Sequence, residues 1–216
     1  MAKDGLIVEL DEIRRRMREG MLYNSGDPEL LAVQAKCLEK MYDYNATRPS
    51  EGEKRAALIK EMFGSAGEGC YIEPPFHANW GGKNVHLGDN VYANFNLTCV
   101  DDCDIYIGDN TMLGPSVVLA TASHPICPEL REKVYQYNLP VRIGKNCWLG
   151  AGVVVLPGVT VGDNTVVGAG SVVTHDLPAN VVAVGSPARV LRPISERDYE
   201  FYYRDRPIDD ESKKDM

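Results

Sequence analysis

The stretch from Ile143 to Pro178 reads IGKNCWLGAGVVVLPGVTVGDNTVVGAGSVVTHDLP, and the spacing of its aliphatic residues is its most informative feature. One aliphatic residue recurs at every sixth position: Ile143, Leu149, Val155, Val161, Val167 and Val173. Six is not a helical period, whereas a short strand plus a turn, repeated three times per coil, gives this spacing. We therefore predict triangular coils stacked about 4.8 Å apart. In this stack Val161 lies on Ile143, Val167 on Leu149 and Val173 on Val155.

Glycine and asparagine recur at the expected corners of these coils. Three corner sequences read Gly88-Asp89-Asn90, Gly108-Asp109-Asn110 and Gly162-Asp163-Asn164. Both residue types tolerate the unusual backbone angles of a tight corner. An ordinary β-sandwich gives no reason for aliphatic and glycine residues to recur in phase, so we favour the coiled architecture.

The repeat loses its phase once, between Leu119 and Val141. The interruption spans about 20 residues, and loops of this length inside a compact domain are usually functional. It contains His124, flanked by Ser123 and Pro125. We expect an extended loop over 120–140 that serves as a lid or contacts another subunit.

The first 70 residues have a helical pattern instead. Asp27-Pro28-Glu29 is a helix start with an acidic cap and Pro at the first helical position. Pro49 is expected to end this helix, and Ser50 with Glu53 to form a capping box for the next one. A shorter helix is expected around 11–18. The predicted organisation is a helical region over 1–70, a β-helix over 71–195 and a tail over 196–216.

Charge and composition narrow the possible functions. The chain has 23 Lys and Arg against 31 Asp and Glu, a net charge of −8, which argues against nucleic-acid binding. No apolar run approaches the ~20 residues that span a bilayer, and the N-terminus has no pattern typical of a signal peptide. Six cysteines without a C-x-x-C pair indicate reduced thiols. We therefore expect a cytoplasmic protein with no nucleic-acid or membrane partner.

Several segments outside the repeat carry a more specific resemblance. They include YANFN (92–96), VDD (100–102), SHP (123–125), VGSPARVLRPI (184–194) and, near the N-terminus, GMLYNSGDPEL (20–30) and EKRAALIKEMFG (53–64). Together with the hexapeptide run they resemble the bacterial sugar O-acetyltransferases: maltose and galactoside O-acetyltransferases and the related nodulation acetyltransferases. The resemblance covers roughly residues 10–195. It implies a left-handed parallel β-helix, a homotrimer with active sites between subunits, acetyl-CoA as co-substrate and no metal.

The resemblance implies that His124 is the catalytic base. A sugar hydroxyl is a weak nucleophile at neutral pH, so a base must accept its proton as it attacks the thioester. Histidine suits this task because its ordinary pKa of about 6.5 lies near neutral pH. The thioester is already activated, so we expect direct transfer in a ternary complex. Cys127 lies close in sequence to His124, but the resemblance gives it no role.

For the sugar acceptor, the resemblance implies contacts by Asn94 and Asp102, with Tyr92 as a wall for the ring. Asn94 could instead be only a corner residue of a coil, and Asp102 only a turn cap. The sequence departs from the family pattern at Ser25, which replaces an acidic residue, and at Gln136, which replaces a methionine. Asn79 falls near a position that is acidic or Ser in relatives. These departures leave the identity of the acceptor open.

For the cofactor, the resemblance implies that the backbone N–H of Ala151 lies near the thioester carbonyl and that Ala169 and Thr174 line the pantetheine path. Arg189 and Arg192 match basic groups near the nucleotide phosphates, and guanidinium groups suit phosphate oxygens. They could instead belong to a solvated tail. A further cofactor-binding residue, His175, stands where the galactoside enzyme has a lysine.

The favoured function is transfer of an acetyl group to a sugar hydroxyl, with the 6-hydroxyl as the family expectation. The alternative is acetylation of another small hydroxyl compound, such as an antibiotic, on the same fold. A prism-shaped carbonic anhydrase would need three histidines on zinc. The chain has four histidines, His77, His86, His124 and His175. No two of them are close enough in sequence to supply the pair of ligands that such a site requires. A scaffold without chemistry would have no reason to interrupt its coils with a loop that carries histidine.

Overall fold

The computed structural model describes residues 10–215. The first nine residues, on which the expectation about a signal peptide partly rests, and Met216 lie outside this part of the chain. None of the helices within 10–215 combines the length and the apolar composition that crossing a membrane requires.

Helices lie mainly at the N-terminal end of the described chain. They are α1 (Leu10–Arg18), α2 (Pro28–Asn45), α3 (Gly52–Met62), α4 (Pro128–Glu132) and α5 (Glu196–Glu200), with a 3-10 turn at Ser212–Asp215. The predicted cap of α2 is confirmed, because the Asp27 carboxylate accepts hydrogen bonds from the N–H groups of Glu29 and Leu30.

Two details of the helix prediction are wrong. The helix α2 ends at Asn45, four residues before Pro49. The capping box at Ser50 and Glu53 does not form, since Glu51 is the N-cap of α3 and no side chain caps that helix. The Glu51 carboxylate instead accepts a hydrogen bond from the backbone N–H of Arg48, which tightens the turn between the two helices.

The strands are short and follow one another closely. In chain order they are β1 (Tyr23–Asn24), β2 (Ser65–Ala66), β3 (Tyr71–Ile72), β4 (His77–Ala78), β5 (Val85–Leu87), β6 (Tyr92–Ala93), β7 (Thr98–Val100), β8 (Ile105–Ile107), β9 (Met112–Leu113), β10 (Val118–Ala120), β11 (Ala122–Ser123), β12 (Tyr135–Asn138), β13 (Val141–Ile143), β14 (Trp148–Leu149), β15 (Val154–Val155), β16 (Thr160–Val161), β17 (Val166–Val167), β18 (Val172–Val173), β19 (Val181–Gly185), β20 (Ala188–Pro193), β21 (Phe201–Tyr203) and β22 (Arg206–Pro207).

Most of these strands form three sheets that together make a parallel β-helix, which confirms the predicted fold. Sheet 1 contains β2, β5, β8, β13 and β16; sheet 2 contains β3, β6, β9, β14, β17, β19 and β20; sheet 3 contains β4, β7, β10, β15 and β18. The predicted stacking is also confirmed, because Ile143 pairs with Val161, Leu149 with Val167 and Val155 with Val173. The last strand of sheet 2, β20, runs antiparallel to β19 and ends the parallel order.

The chain passes from sheet 1 to sheet 2 to sheet 3 in every coil, so the prism has three edges. We call them the 1–2 edge, the 2–3 edge and the 3–1 edge after the sheets that they join. The 1–2 edge carries a column of asparagines with left-handed backbone angles, φ between 52 and 59°: Asn90, Asn110, Asn146, Asn164 and Asn180. Their side chains hydrogen-bond from one coil to the next, for example from Asn164 Nδ2 to Asn180 Oδ1 at 2.9 Å. The predicted corner role of Asn90, Asn110 and Asn164 is confirmed, and Asn146 and Asn180 occupy equivalent corners.

In the early coils, the spacing of the buried residues departs from six at one edge of the prism. The buried residues Leu87, Ala93 and Cys99 lie six apart, but the next one in the coil is Ile107, eight positions after Cys99. The two additional residues lie at the 3–1 edge. This edge therefore holds the segment Asp101–Asp104, which a regular hexapeptide corner has no room for.

The interruption of the repeat leaves the prism at the same 3–1 edge, and it is more ordered than an extended loop. It folds as β11, α4 and β12, and β12 pairs with both β11 and β1 in a three-stranded antiparallel sheet. We call this segment, 120–140, the excursion. It packs against the N-terminal region of its own chain. A second small core lies beneath this region, made by Ile13, Met17, Tyr23, Leu30 and Trp80.

Candidate active site

His124 follows directly after β11 in the excursion and is exposed in the single chain. Its Nδ1 atom lies 2.8 Å from the backbone carbonyl oxygen of Tyr135 on the neighbouring strand β12. A carbonyl oxygen can only accept a hydrogen bond, so Nδ1 carries the proton in the neutral imidazole. Nε2 is then the unprotonated nitrogen. The fold thus fixes both the orientation of the ring and the tautomer that a general base needs.

Asp102 and Asn79 lie together at the 3–1 edge. The Asn79 amide donates to Asp102 Oδ2 at 2.8 Å, and the Trp80 indole N–H approaches Asp102 Oδ1 at 3.4 Å. Asp102 is buried in the single chain. Its carboxylate does not cap the local turn, because its partners are side chains of the preceding coil. The sequence placed these two residues in one site, and the structure brings them into contact.

Gln136 belongs to a buried polar cluster behind the excursion. Its side-chain amide donates to the hydroxyl of Tyr23 and, at 3.1 Å, to Asn138 Oδ1. The Asn138 amide in turn reaches the backbone oxygens of Asp102, at 3.3 Å, and of Met17, at 3.4 Å. This cluster connects β12, the strand whose carbonyl oxygen bonds His124, to the 3–1 edge, where Asp102 lies. Burial and the nearby charge of Asp102 raise the pKa of Tyr23, so its hydroxyl stays protonated.

The neighbouring Asp101 has a structural position. It is fully buried, and its two carboxylate oxygens accept the backbone N–H groups of Trp80, at 2.7 Å, and Gly82, at 3.1 Å. These bonds hold the turn that follows β4, and so place Asn79 next to Asp102. Burial raises the pKa of Asp101 to about 6.

Ser25 contacts the excursion rather than a polar neighbour of its own region. Its hydroxyl donates to the carbonyl oxygen of Val134 at 2.8 Å, and its N–H bonds the same oxygen. Val134 has a left-handed φ of 51°, an unfavourable value for a β-branched residue. Ser25 therefore helps to hold the turn that precedes β12.

Asn94 and Tyr92 lie elsewhere, on and just beyond β6 of sheet 2. Asn94 is at the 2–3 edge, and its Oδ1 accepts the N–H of Phe95 at 2.8 Å, as expected of a corner residue. Tyr92 is exposed and stacks on Tyr71 with ring centroids 6.4 Å apart. Within one chain, sheet 3 lies between Asn94 and Tyr92 on one side and the 3–1 edge with Asp102 on the other.

The predicted thioester and pantetheine positions continue along the 2–3 edge. Ala151 and Ala169 occupy equivalent corners of successive coils, and the N–H of Gly170 donates to the Ala151 oxygen at 2.8 Å. Within residues 10–215 the N–H groups of Ala151 and Ala169 have no hydrogen-bond acceptor. Both residues are exposed. This edge therefore offers two free backbone donors, at Ala151 and at Ala169, one coil apart.

Thr174 and His175 follow β18 at the 3–1 edge, the edge of Asp102. The Thr174 hydroxyl lies 2.8 Å from His175 Nδ1. Their edge differs from that of Ala151 and Ala169. The cofactor residues suggested by the sequence are thus divided between the two edges that border sheet 3.

The two arginines near the C-terminus differ in their surroundings. Arg189 opposes Val184 in the β19–β20 pair, and within the described chain no carboxylate pairs with it. Arg192 is held by Asp198, with both guanidinium Nη atoms 2.6 Å from the carboxylate oxygens. This ion pair lowers the pKa of Asp198 to about 2. Arg189 is the arginine more open to a phosphate.

Sequence reasoning missed Tyr23, Trp80 and Asn138, all of which hold predicted site residues in place. The eight-residue interval after Cys99 marks the irregular 3–1 edge and could have drawn attention to the segment that contacts Trp80. No comparable signal marks Tyr23 or Asn138, whose importance depends on β1 pairing with β12 across more than 100 residues of sequence. Within residues 10–215, no three His, Cys, Asp or Glu side chains come together in a way that could hold a metal ion.

Comparison with known proteins identifies the family. A family model described as the maltose acetyltransferase hexapeptide capping motif matches residues 16–67, and one for the bacterial transferase hexapeptide (six repeats) matches residues 140–175. The galactoside O-acetyltransferase of Lactococcus lactis subsp. lactis (strain IL1403) is 48% identical over 198 residues, which cover 92% of this chain and 96% of that protein. The galactoside O-acetyltransferase of Escherichia coli (strain K12) is 47% identical over 194 residues, which cover 90% and 95%.

A solved structure of a galactoside acetyltransferase in complex with coenzyme A superposes with a TM-score of 0.88. It is 46% identical, and the match covers 91% of this chain and 98% of that one. The capping-motif model falls on the helices that pack against the first coil, and the hexapeptide model falls on the most regular coils. The chain is therefore an acetyltransferase that belongs to the galactoside and maltose O-acetyltransferase family of hexapeptide-repeat enzymes.

Proposed function

We propose that this protein transfers the acetyl group of acetyl-CoA to a hydroxyl group of a sugar such as maltose, glucose or a galactoside, with His124 as the general base. The observation that carries this proposal is the hydrogen bond from His124 Nδ1 to the Tyr135 carbonyl. It leaves Nε2 with a free lone pair on an exposed ring. Relatives that share nearly half of the sequence are named galactoside O-acetyltransferases, and one related structure contains coenzyme A.

In the proposed reaction, His124 Nε2 accepts the proton of the sugar hydroxyl as its oxygen attacks the thioester carbonyl carbon. The C–O bond forms, the C–S bond breaks, and the proton passes from Nε2 to the departing thiolate. A backbone N–H aimed at the carbonyl oxygen stabilises the charge that develops there. The unpaired N–H of Ala151 is the donor that we assign to this task.

The arrangement of site residues supports a trimer. The outward positions of sheet 3 form a strip that is apolar over its last three coils; in register it consists of His77, Thr98, Val118, Val154 and Val172. Both edges beside this strip carry proposed site residues. If three copies pack sheet 3 about a threefold axis, the 2–3 edge of each copy lies next to the 3–1 edge of its neighbour. Asn94 and Ala151 of one chain then face Asp102 and His124 of another.

The sugar acceptor is recognised by the polar groups of both edges. Asp102, oriented by Asn79 and Trp80, accepts hydrogen bonds from sugar hydroxyls, and the Asn94 amide offers both a donor and an acceptor. Tyr92 supplies a flat apolar surface for the ring. At the cofactor end, Arg189 binds the nucleotide phosphates directly, and Thr174 and His175 line the path between.

The proposal is tested by following thiol release from acetyl-CoA with a panel of acceptors that contains maltose, glucose, galactosides and non-sugar hydroxyl compounds. Acetylated product is identified by mass spectrometry, and the modified hydroxyl, expected to be the 6-hydroxyl, by NMR. Thiol release that depends on a sugar supports the proposal. Release that depends only on a non-sugar acceptor would leave acetyl transfer intact and overturn the sugar assignment.

A further inference from the structure

A second group of reactive side chains lies on the outer face of sheet 1. Ser65, His86 and Tyr106 stand on adjacent strands in register, Ser65 beside His86 and His86 beside Tyr106. None of the three has a role in the proposed acetyl transfer. The residues assigned to that reaction lie along the edges of sheet 3, on sheet 2 and in the excursion.

The contacts within this group are those of a nucleophile, a base and a residue that orients the base. The Ser65 hydroxyl lies 3.1 Å from His86 Nδ1, and His86 Nε2 lies 3.1 Å from Asp104 Oδ1. A carboxylate accepts the Nε2 proton, so the Nδ1 lone pair is directed at the serine hydroxyl. Such a triad is recognised by geometry and roles rather than by sequence position.

The imidazole is held on both sides. Tyr106 stacks on it with centroids 4.8 Å apart and an angle of 16° between the planes, and the Tyr106 hydroxyl donates to the second oxygen of Asp104 at 3.2 Å. On the other side the ring packs on the backbone of Gly64, where a Cβ would lie 2.8 Å from His86 Cε1. The ring therefore cannot turn away from Ser65 without losing both contacts.

Two members of the triad, His86 and Asp104, line an open cleft with room for a small substrate, and Ser65 is exposed directly after Gly64 in its wall. The cleft has a volume of about 670 Å³, and its wall includes Phe63, Gly64, Trp80, Lys83, His86 and Asp104. The side chains of His86 and Asp104 are 28% and 41% exposed, so a ligand in the cleft can reach them. Lys83 places a positive charge in the same wall, where it can stabilise a developing oxyanion.

We propose that Ser65 and His86, oriented by Asp104, form a second catalytic site that hydrolyses short-chain carboxylic esters such as acetyl esters. Ser65 Oγ attacks the ester carbonyl carbon while His86 Nδ1 accepts its proton. The ester C–O bond then breaks, and the alcohol leaves with that proton. Water attacks the acyl-serine by the same route, which releases the carboxylic acid and restores the Ser65 hydroxyl.

The experiment measures hydrolysis of p-nitrophenyl acetate without CoA, using the full chain and the variants S65A, H86A and S123A. We expect S65A and H86A each to lose at least about tenfold of the rate, in keeping with removal of a nucleophile or its base. S123A is the matched control, a serine next to a histidine outside the triad, and keeps the rate. A fluorophosphonate probe should label Ser65, as located by peptide mass spectrometry.

Acetyl transfer from acetyl-CoA to sugars is measured on S65A in parallel and should be retained, which shows that the variant is folded. An S65A rate equal to that of the unaltered protein, a label on another residue, or no hydrolysis above the buffer rate overturns the proposal. Hydrolysis that depends on Ser65 in a protein without transferase activity would support this site and overturn the proposed function instead.

Discussion

The Nδ1 atom of His124 lies 2.8 Å from the carbonyl oxygen of Tyr135, on a strand that pairs with the one leading into His124. The partner is a backbone atom, so the ring orientation is built into the β11–β12 pair and does not depend on a carboxylate side chain. The same pair is anchored to β1 near the N-terminus. The helical region therefore helps to fix β12, the strand whose carbonyl oxygen orients His124, the residue that we propose as the base.

Replacing His124 with Ala should lower kcat for acetyl transfer by about 10²–10⁴-fold, the usual contribution of a general base. The variant should keep the circular dichroism spectrum and oligomeric state of the unaltered protein. Ile126→Ala serves as the matched control, because this side chain belongs to the same excursion and is 92% exposed. If H124A retained full turnover, the assignment of the base would be wrong.

Mixing two inactive variants should restore activity if sites form between subunits. His124→Ala and Asn94→Ala alter opposite sides of such a site, so a mixed trimer contains at least one interface with both natural residues. Co-refolding the two variants, followed by thiol-release assays, should give more activity than either alone. The control is the double variant on one chain refolded by itself, which should stay inactive. No recovery in trimers shown by native mass spectrometry to be mixed would place both residues in a single-chain site.

Removing the Tyr23 hydroxyl should destabilise the fold. Tyr23→Phe removes the hydrogen bonds that the hydroxyl makes with the buried side chains of Gln136 and Asn138, at an expected cost of about 1–3 kcal/mol. Urea unfolding followed by fluorescence measures this difference. Tyr42→Phe is the matched control, since Tyr42 is 70% exposed and its replacement should change stability by less than about 0.5 kcal/mol. Equal effects of the two changes would show that the buried cluster contributes nothing.

The left-handed backbone angle in the asparagine column should affect the stability of the fold. Asn164 has φ of 58°, and its side chain bonds both Asn146 and Asn180. Asn164→Ala should cost about 1–3 kcal/mol, because it combines left-handed strain with lost hydrogen bonds. Asn164→Gly loses the same bonds without the strain, so it should unfold at a higher urea concentration than N164A. The reverse order would mean that backbone strain is unimportant at this corner.

Asp101 should make stability depend on pH. Its pKa is raised by burial to about 6 from an ordinary value of 3.8, so the folded chain binds this proton more tightly than the unfolded chain. The favourable contribution is complete below the unfolded pKa and is lost as pH rises through the folded pKa. As pH falls from about 7 to about 4, the unfolding free energy of the unaltered protein should therefore rise relative to that of Asp101→Asn. A difference that stays constant over this range would contradict the titration of Asp101.

The sequence predicted the regular part of the molecule well, because each hexapeptide is a local unit that repeats its own packing rule. Register at Ile143 and Val161 followed from spacing alone. The arrangement around His124 could not be predicted in the same way, since it depends on a pairing between Tyr23 and Gln136 that no periodicity encodes. Likewise, nothing in the sequence places Ser65 beside His86, because that contact arises only when a strand at the end of the helical region joins sheet 1.

The two ends of the prism have a consequence for the behaviour of the protein in solution. A stack of parallel coils presents unpaired backbone groups at both ends, and such ends can recruit further coils from other molecules. Here Met62 and Phe63 are buried against the start of the prism, while β20 pairs antiparallel with β19 and so ends the parallel order of sheet 2. We expect the buried residues at the first end and the reversed strand at the other to oppose end-to-end association of prisms. Loss of either one should convert a discrete enzyme into a fibre-forming protein.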